Sequence, residues 1–334
     1  MKKSWKRSSL IALFFLAVCF CTMPLSASAA VTATINGKGY DSLQDAVANV
    51  KDGQTIVLKR NTTECVTAAR DVKYTIDLNK KTWTGKNDYV AMYVKSGTIT
   101  LKNGKMTGEG GVLWVNGSKA KVTISSGTYT SKTGSLLYNS AGTLLLKNGT
   151  YKAGKNVLVN SKTGTTTIYK GTYTGAAAGG NYSAISAKGG TVTIKNGTIS
   201  GNGGAVSVTG KEAKVTLANG TYTSKKGTAL YNSAGTLLVK KGTYKAGQNV
   251  LMNCGTGKTT ISGGKFSGTN ADYAVTFNKG KATLKITAGT FTGKLKKVGS
   301  VKICLGIYQE SGTVKVSGGK LNGKKITVLK VPSR

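Results

Sequence analysis

The feature that most constrains the fold of this chain is a short segment that recurs from residue 96 almost to the C-terminus. Each copy resembles GTLLLKNGTYKAG (Gly142 to Gly154), in which a glycine is followed two residues later by an aromatic or another large side chain. We call the second glycine of each copy the key glycine. Successive key glycines are 22–26 residues apart except for the last step, and they are Gly104, Gly127, Gly149, Gly171, Gly197, Gly220, Gly242, Gly264, Gly289 and Gly319. Repeats of this length indicate a solenoid in which each copy forms one coil.

Each repeat also has the alternation of strands with one buried face. Positions −5 and −3 from the key glycine are mostly aliphatic and position +2 is mostly aromatic, whereas Thr, Lys and Ser occupy the positions between them. A third apolar run, such as LLYN or VLVN, lies about ten residues before the key glycine. Three short strands per repeat predict an all-β protein, a single-stranded parallel β-helix of about 12 coils.

Six of the third runs end in asparagine. We predict that these side chains form a hydrogen-bonded ladder at one corner, because asparagine tolerates the left-handed backbone that such corners need. The predicted structural ladder consists of Asn116, Asn139, Asn160, Asn232, Asn253 and Asn278.

A longer period of 93 residues overlies the repeats, since the key glycines from Gly104 to Gly171 recur as those from Gly197 to Gly264. The segments that begin at Leu137 and Leu230 are near copies. A four-coil block was therefore duplicated, which lengthens a surface without creating an active site.

The first residues have the pattern of an export signal. Met1–Ala30 contains a basic start, the apolar run LIALFFLAVCFCTM and the small residues Ala27-Ser28-Ala29. We expect cleavage near Ala29 or Ala30 and a secreted or cell-wall-associated product. The apolar run is shorter than the roughly 20 residues of a spanning helix, so no membrane span is expected.

The segment between the signal and the repeats has the features of a cap. A strand in VTATI and a turn at Asn36-Gly37 precede a predicted helix, capped by Asp41 or Ser42, with Leu43, Ala46, Val47 and Val50 on one face. The first coil of a solenoid has an open edge that must be covered. The predicted organisation is therefore a signal over 1–29, a small strand-helix cap with the first coil over 30–72, and the repeats over 73–334. TIDLNKKTWTG from residue 75 already has coil spacing if Lys81 takes the glycine position and Trp83 position +2.

INGKGYDSLQDAVANVKDGQTIVL, followed by TIDLNKKTWTG and Gly-Thr coils, resembles the right-handed parallel β-helix proteins of the pectate-lyase-like superfold. In particular it is similar to the repeat-bearing forms that Gram-positive bacteria secrete or display. The resemblance implies right-handed coils along essentially the whole chain after the signal. It implies no single function, because the family includes lyases, hydrolases, adhesins and wall-associated proteins.

Acidic residues are too few and too scattered to indicate catalysis. The chain has no histidine, and the resemblance implies acidic clusters in enzymes of this fold. Glu212 and Glu310 occupy similar corners, yet they lie four coils or about 19 Å apart, whereas glycosidase carboxylates are roughly 5–9.5 Å apart. The remaining candidates are Glu109 and Asp272 in the repeats and Asp71, Asp77 and Asp88 near the first coils. We predict no catalytic residue, metal or cofactor; a polysaccharide lyase or glycosidase of the superfold is the alternative.

Cysteines are also scattered. Cys65, Cys254 and Cys304 follow the signal, and three thiols cannot all pair. Cys254 and Cys304 belong to coils two apart, beyond the roughly 7 Å reach of a disulfide between Cα atoms. We therefore predict free thiols.

The net charge of the chain indicates what class of partner it binds. Lys and Arg number 48 against 11 Asp and Glu, a formal net charge of +37. Lysines occupy positions −2, +1 and +3, where they are predicted to face outward and to bind polyanions such as teichoic acid or acidic polysaccharide. The predicted binding residues are Lys102, Lys147, Lys195, Lys240, Lys105, Lys152, Lys245, Lys265 and Lys320. A solubility coat is the alternative. We predict that the protein is a monomer.

Two other partners are less favoured. Specific nucleic-acid binding is not expected, because arginine is scarce and the tyrosines are predicted to face inward, leaving no stacking platform. Thr-x-Thr pairs at +1 and +3, such as Thr128 and Thr130, resemble the flat ranks of ice-binding β-solenoids, but lysines interrupt the rank and threonine is simply a good strand residue.

Overall fold

Three stacks of short parallel strands make up the backbone of the protein. The computed structural model describes residues 30–87, 89–175, 182–298 and 301–330. The predicted export signal and Asp88 lie outside the described residues. The ladders and the cap belong to one compact unit that begins at Val31.

Each coil contributes one strand to each of three parallel stacks, which we call the first, second and third ladders. The first ladder comprises Thr55–Leu58, Lys73–Asp77, Thr98–Lys102, Lys121–Ile124, Thr143–Leu146, Thr165–Ile168, Thr191–Ile194, Lys214–Leu217, Thr236–Val239, the first parts of Lys258–Gly268 and Thr283–Thr292, and Thr313–Val316. The second comprises Thr62–Thr63, Thr82–Thr84, Lys105–Gly108, Thr128–Ser131, Thr150–Ala153, Thr172–Gly175, Thr198–Gly201, Thr221–Ser224, Thr243–Ala246, the second parts of Lys258–Gly268 and Thr283–Thr292, and Lys320–Leu321. The third comprises Val66–Ala68, Met92–Val94, Leu113–Val115, Leu137–Asn139, Leu158–Asn160, Ser183–Ala187, Gly204–Val208, Leu230–Asn232, Leu251–Asn253, Thr276–Asn278, Ile307–Gln309 and Val328–Lys330.

The third ladder contains 12 strands, all paired in parallel from one coil to the next. The predicted all-β parallel β-helix and its coil number are therefore confirmed. The core lies inside the three ladders, because alternate residues of most ladder strands are buried, as the period-2 pattern requires.

Side chains at position +2 stack in register along the inside of the second ladder. Trp83, Met106 and Tyr129 are consecutive members, which confirms the register assigned to the first coil. The ring centroids of Tyr129, Tyr151 and Tyr173 are 5.2 and 4.6 Å apart. Each of these rings is buried, and offset stacking of buried aromatics stabilises beyond their area alone.

The key glycines let the chain turn tightly into this stack. Gly149 has a φ of +139°, and a Cβ there would lie 3.0 Å from both the Gly127 carbonyl oxygen and the Tyr151 hydroxyl. The Tyr151 hydroxyl donates to the Asn148 carbonyl at 2.9 Å. The glycine and the tyrosine two residues later are therefore parts of one turn, which explains why they recur together. Gly104 differs, because Asn103 rather than Gly104 takes the positive φ there.

The N-terminal cap has the predicted strand and helix. Strands Ala33–Ile35 and Lys38–Tyr40 pair antiparallel, and Ala33–Ile35 also pairs antiparallel with the first strand of the first ladder. Helix Leu43–Asn49 begins after Ser42, whose hydroxyl accepts from the Asp45 N–H at 2.9 Å. The predicted apolar face of the helix is buried against the first coil. This is the only helix in the described ranges, and its seven residues cannot cross a bilayer.

Two hairpins depart from the coil pattern. Strands Leu295–Val298 and Val301–Cys304 pair antiparallel, and this insertion accounts for the long last step between key glycines. Strands Lys320–Leu321 and Lys324–Lys325 form a second hairpin at the end of the second ladder. Lysines on an edge strand oppose further strand pairing.

Candidate functional site

The predicted lysines at position −2 lie at the exit of the first ladder, but three of the four have partners. Lys102 Nζ lies 3.3 Å from Asp77 Oδ2. Lys147 Nζ and Lys195 Nζ lie 3.6 and 4.4 Å from the ring centroid of Tyr169, which occupies position −2 on the coil between them. The sequence had indicated lysines at position −2 but not that Tyr169 lies between two of them. Lys240 is exposed and faces the coil of Ser262 instead.

The other predicted lysines lie on the outward side of the second ladder. All five are exposed: Lys105, Lys152, Lys245, Lys265 and Lys320. Lys152 is in register between Thr130 and Thr174, so lysines do interrupt the threonine rank. Only three lysine–carboxylate pairs occur within the described part of the chain, which leaves most of the positive charge without a carboxylate partner.

Several carboxylates are held in local structural contacts. Asp77 accepts from the Asn79 N–H at 2.9 Å and from the Asn103 side chain at 3.2 Å. Glu109 and Asp272 pair with Lys132 and Lys296, respectively. Glu64 accepts from the Leu43 N–H at 2.9 Å and so caps the cap helix. Within the described ranges, no three His, Cys, Asp or Glu side chains are close enough to hold a metal ion.

Five of the six predicted ladder asparagines lie at the inward-facing end of third-ladder strands and are buried. They form two short runs, Asn139 with Asn160 and Asn232 with Asn253 and Asn278. Asn253 Nδ2 donates to Asn278 Oδ1 at 2.7 Å, and Thr259 Oγ1 donates to Asn253 Oδ1 at 2.8 Å.

The placement of Asn116 in this ladder was wrong by one residue. Val115, not Asn116, is in register with Asn139, and Asn116 donates to the Tyr93 hydroxyl at 2.6 Å. Asn139 Oδ1 and Asn232 Oδ1 have no hydrogen-bond donor in the described structure. Thr166 and Thr259 donate to the oxygens of Asn160 and Asn253, whereas Leu144 and Leu237 occupy the corresponding positions beside Asn139 and Asn232.

The three cysteines are free, as predicted. Cys65 is exposed, Cys254 is buried, and Cys304 is half-buried at the end of the inserted hairpin. Burial is the largest influence on the Cys304 thiol and raises its pKa.

The prediction that the tyrosines face inward was only half right, because the third ladder carries a second row of aromatic residues on its outside. The middle residue of each three-residue strand points outward. We call these residues, together with the residues in register with them in the two five-residue strands, the outward row. In chain order they are Thr67, Tyr93, Trp114, Tyr138, Val159, Ser186, Ser207, Tyr231, Met252, Phe277, Tyr308 and Leu329.

Rings of the outward row contact one another and nearby lysines. Trp114 is 39% exposed and lies edge-on to Tyr93, with ring centroids 5.2 Å apart. Phe277 and Tyr308 are stacked at 5.4 Å. Lys95 Nζ lies 5.5 Å from the Tyr93 ring and Lys279 Nζ 5.8 Å from the Phe277 ring, within cation–π range. This face therefore carries partly exposed rings with ammonium groups beside two of them, whereas the sequence had indicated that the tyrosines face inward.

Serines replace bulky residues at two consecutive coils of the outward row and leave a groove of about 810 Å³. Ser186 and Ser207 form its floor and are in register with each other. Tyr231 closes one end, being the next member of the row. Tyr182, 42% exposed, stands at the corner that precedes strand Ser183–Ala187. We call this cavity the third-ladder groove.

Two lysines and no carboxylate line the third-ladder groove. Lys188 follows the end of strand Ser183–Ala187, and Lys226 belongs to the corner that leads into strand Leu230–Asn232, so the two cations lie on opposite margins of the floor. Both are exposed and neither is in an ion pair with another described residue. A hydrogen bond with the Cys254 thiol, followed by burial, raises the pKa of the Tyr231 phenol.

No protein-family model, curated protein or solved structure matches the chain. The geometry alone therefore supports the assignment of a function.

Proposed function

We propose that this protein is a secreted, non-catalytic β-helix that binds acidic polymers of the cell wall or of other extracellular material. The observation that carries the proposal is the excess of unpaired outward cations. The chain has 48 Lys and Arg against 11 Asp and Glu, and the described residues contain three lysine–carboxylate pairs. A surface of this sign attracts anionic polymers over the whole length of a repeat array.

The coil repeat suits a polymer better than a small anion. Neighbouring coils are about 4.8 Å apart, so side chains at one position of the repeat form files with a regular spacing. A polymer with regularly spaced charges can contact several members of a file at once, and many weak contacts add up through effective concentration. Anionic wall polymers and acidic polysaccharides both have this property.

Binding without turnover is the second part of the proposal. It is supported by the local engagement of the carboxylates, since Asp77, Glu109 and Asp272 each pair with a lysine on their own or a neighbouring coil. An enzyme of the pectate-lyase-like superfold would instead release products from an acidic or neutral polysaccharide. If the wild-type protein releases such products and a change of Asp71 or Asp77 abolishes them, the function is catalysis rather than binding.

Retention on purified cell walls tests the proposal. Walls with their anionic polymers intact are expected to retain more protein than walls from which those polymers have been extracted, and salt is expected to elute the protein. Agarose beads that carry a neutral polysaccharide are the matched control. Equal retention on charged and neutral matrices would mean that the lysines act only as a solubility coat. Export is tested by N-terminal sequencing of secreted protein, which we expect to begin near Ala30.

A further inference from the structure

We propose that the third-ladder groove is a binding site for an acidic polysaccharide, a chain of sugar rings that carry carboxylate or sulfate groups. This inference rests on the proposed function and deepens it, because it places one specific subsite and distinguishes sugar polymers from anionic polymers without rings.

Aromatic side chains lie at the margins of the groove. Tyr231 ends the groove, and the ring of Tyr182 is 42% exposed beside it. Lys155 Nζ lies 5.8 Å from the Tyr182 ring centroid and adds a further cation near this margin. A pyranose ring has an apolar face of C–H groups that packs on the negative face of an aromatic ring. An exposed ring at a groove margin is therefore suited to a sugar.

The floor supplies hydrogen-bonding groups. Ser186 is only 6% exposed, but it lines the groove. A hydroxyl that lines a groove can exchange a water molecule for a hydroxyl of a ligand. Ser207, one coil further along, presents a second hydroxyl in register with it. Two hydroxyls separated by about one coil spacing can each bind a different hydroxyl group of a sugar chain.

The lysines select the charge of the sugar. Lys188 and Lys226 flank the floor from opposite margins, and the described lining of the groove contains no carboxylate. An uncharged sugar would leave both ammonium groups without a partner, whereas a uronate or sulfated sugar would pair with one or both. A polymer of alternating polyol and phosphate would satisfy the lysines but would gain nothing from the tyrosines. The combination of rings, hydroxyls and cations therefore favours an acidic sugar chain.

The outward row offers a substitution that closes the groove without removing a charge. Ser207 is in register with Tyr231, and outward tyrosines are accommodated elsewhere in the row. Ser207→Tyr should therefore fold while filling the groove floor. The second variant, Lys188→Gln with Lys226→Gln, removes the cations. Controls are Tyr138→Phe, in the same row away from the groove, and Lys51→Gln with Lys59→Gln, which removes two exposed lysines near the N-terminal cap.

Binding of short oligogalacturonates to the full mature protein is measured by calorimetry, with polyphosphate and a neutral xylo-oligosaccharide as further probes. We expect Ser207→Tyr and the Lys188/Lys226 variant each to weaken oligogalacturonate binding about tenfold or more, which corresponds to about 1.4 kcal/mol or more. The control variants are expected to change it less than threefold, about 0.7 kcal/mol. Circular dichroism and melting temperature verify folding of each variant.

The outcomes separate the site from the function. If the groove variants bind oligogalacturonate as well as the controls do, the groove is not the site, although the proposed function stands. If polyphosphate binds as tightly as oligogalacturonate and Ser207→Tyr affects neither, the partner is recognised by charge alone. If the wild-type protein binds none of the charged probes, the proposed function itself fails. Tight binding of the neutral probe would overturn the assignment of an acidic sugar.

Discussion

Lys147 Nζ lies 3.6 Å from the ring centroid of Tyr169, and Lys195 Nζ lies 4.4 Å from the same ring on its other side. Three consecutive coils therefore form a lysine–tyrosine–lysine sandwich on the outside of the first ladder. The duplicated block has no equivalent, because Ser262 occupies the position of Tyr169 and Lys240 that of Lys147. The duplicated block therefore provides an internal control for the free energy of the contact between Lys147 and Tyr169.

We predict a measurable coupling between Lys147 and Tyr169. A cation–π pair at an exposed site contributes about 0.5–1 kcal/mol. A double-mutant cycle with Lys147→Gln and Tyr169→Leu should give an interaction energy in this range, measured by denaturant unfolding. The equivalent cycle with Lys240→Gln and Ser262→Ala should give a value near zero. Similar values for both cycles would mean that the ring contributes nothing specific to the file of lysines.

The asparagine runs predict a sharp difference between two substitutions of the same type. Asn253→Ala would leave the Thr259 hydroxyl and the Asn278 amide oxygen without their buried partners, at about 1–3 kcal/mol for each group. Asn116→Ala removes one contact with the half-buried Tyr93 and should cost less than about 1 kcal/mol. Melting temperatures of the two variants provide the measurement. An equal loss for both would contradict the register that separates Asn116 from the ladder.

Alkaline titration should reveal a set of buried tyrosines that stay protonated while the protein is folded. Burial raises the pKa values of the Tyr74, Tyr129, Tyr151, Tyr173, Tyr222 and Tyr244 phenols in the folded protein. Below about pH 10 these phenols are neutral in both the folded and the unfolded protein. Their burial then contributes fully to the free energy of unfolding. Above that pH the unfolded chain loses protons that the folded chain keeps, so the free energy of unfolding falls as pH rises.

Absorbance at alkaline pH should therefore show at least these six of the fifteen tyrosines remaining protonated until the chain unfolds. Tyr173→Phe should remove one tyrosine from this protonated set. Ionisation of all fifteen in a single early phase would show that the inner stack is not shielded from water.

Thiol reactivity should follow the exposure of the cysteines. Native protein is expected to expose Cys65 to a thiol reagent, to react more slowly at the half-buried Cys304, and to protect Cys254 until unfolding. Unfolding without a reductant should reveal three thiols in the mature chain. One thiol under those conditions would indicate a disulfide and contradict the coil register near Cys254.

Much of the fold could be predicted because first- and second-ladder strands are long enough to show alternation. Val122 and Ile124, for example, are buried two residues apart with Thr123 between them. The cap helix could also be predicted, because an N-cap residue such as Ser42 and an apolar face are signals within a short stretch of sequence.

The candidate site could not be predicted in the same way. A third-ladder strand of three residues has a single outward position, so no alternation within one repeat marks Tyr138 or Trp114 as exposed. Their large apolar side chains instead suggest that they belong to the core. Ser186 and Ser207 form a groove only because their neighbours in the row are large, and this relation exists between coils rather than along the chain.

The dependence of polygalacturonate affinity on salt tests the central claim most directly. Each lysine that neutralises a polymer charge releases condensed counterions, so the logarithm of the association constant should fall linearly with the logarithm of salt concentration. We predict a steep negative slope for the wild-type protein, a shallower slope for the Lys188/Lys226 variant, and for Ser207→Tyr a lower affinity at every salt concentration. An affinity that does not change with salt, or the absence of binding at low salt, would contradict the account.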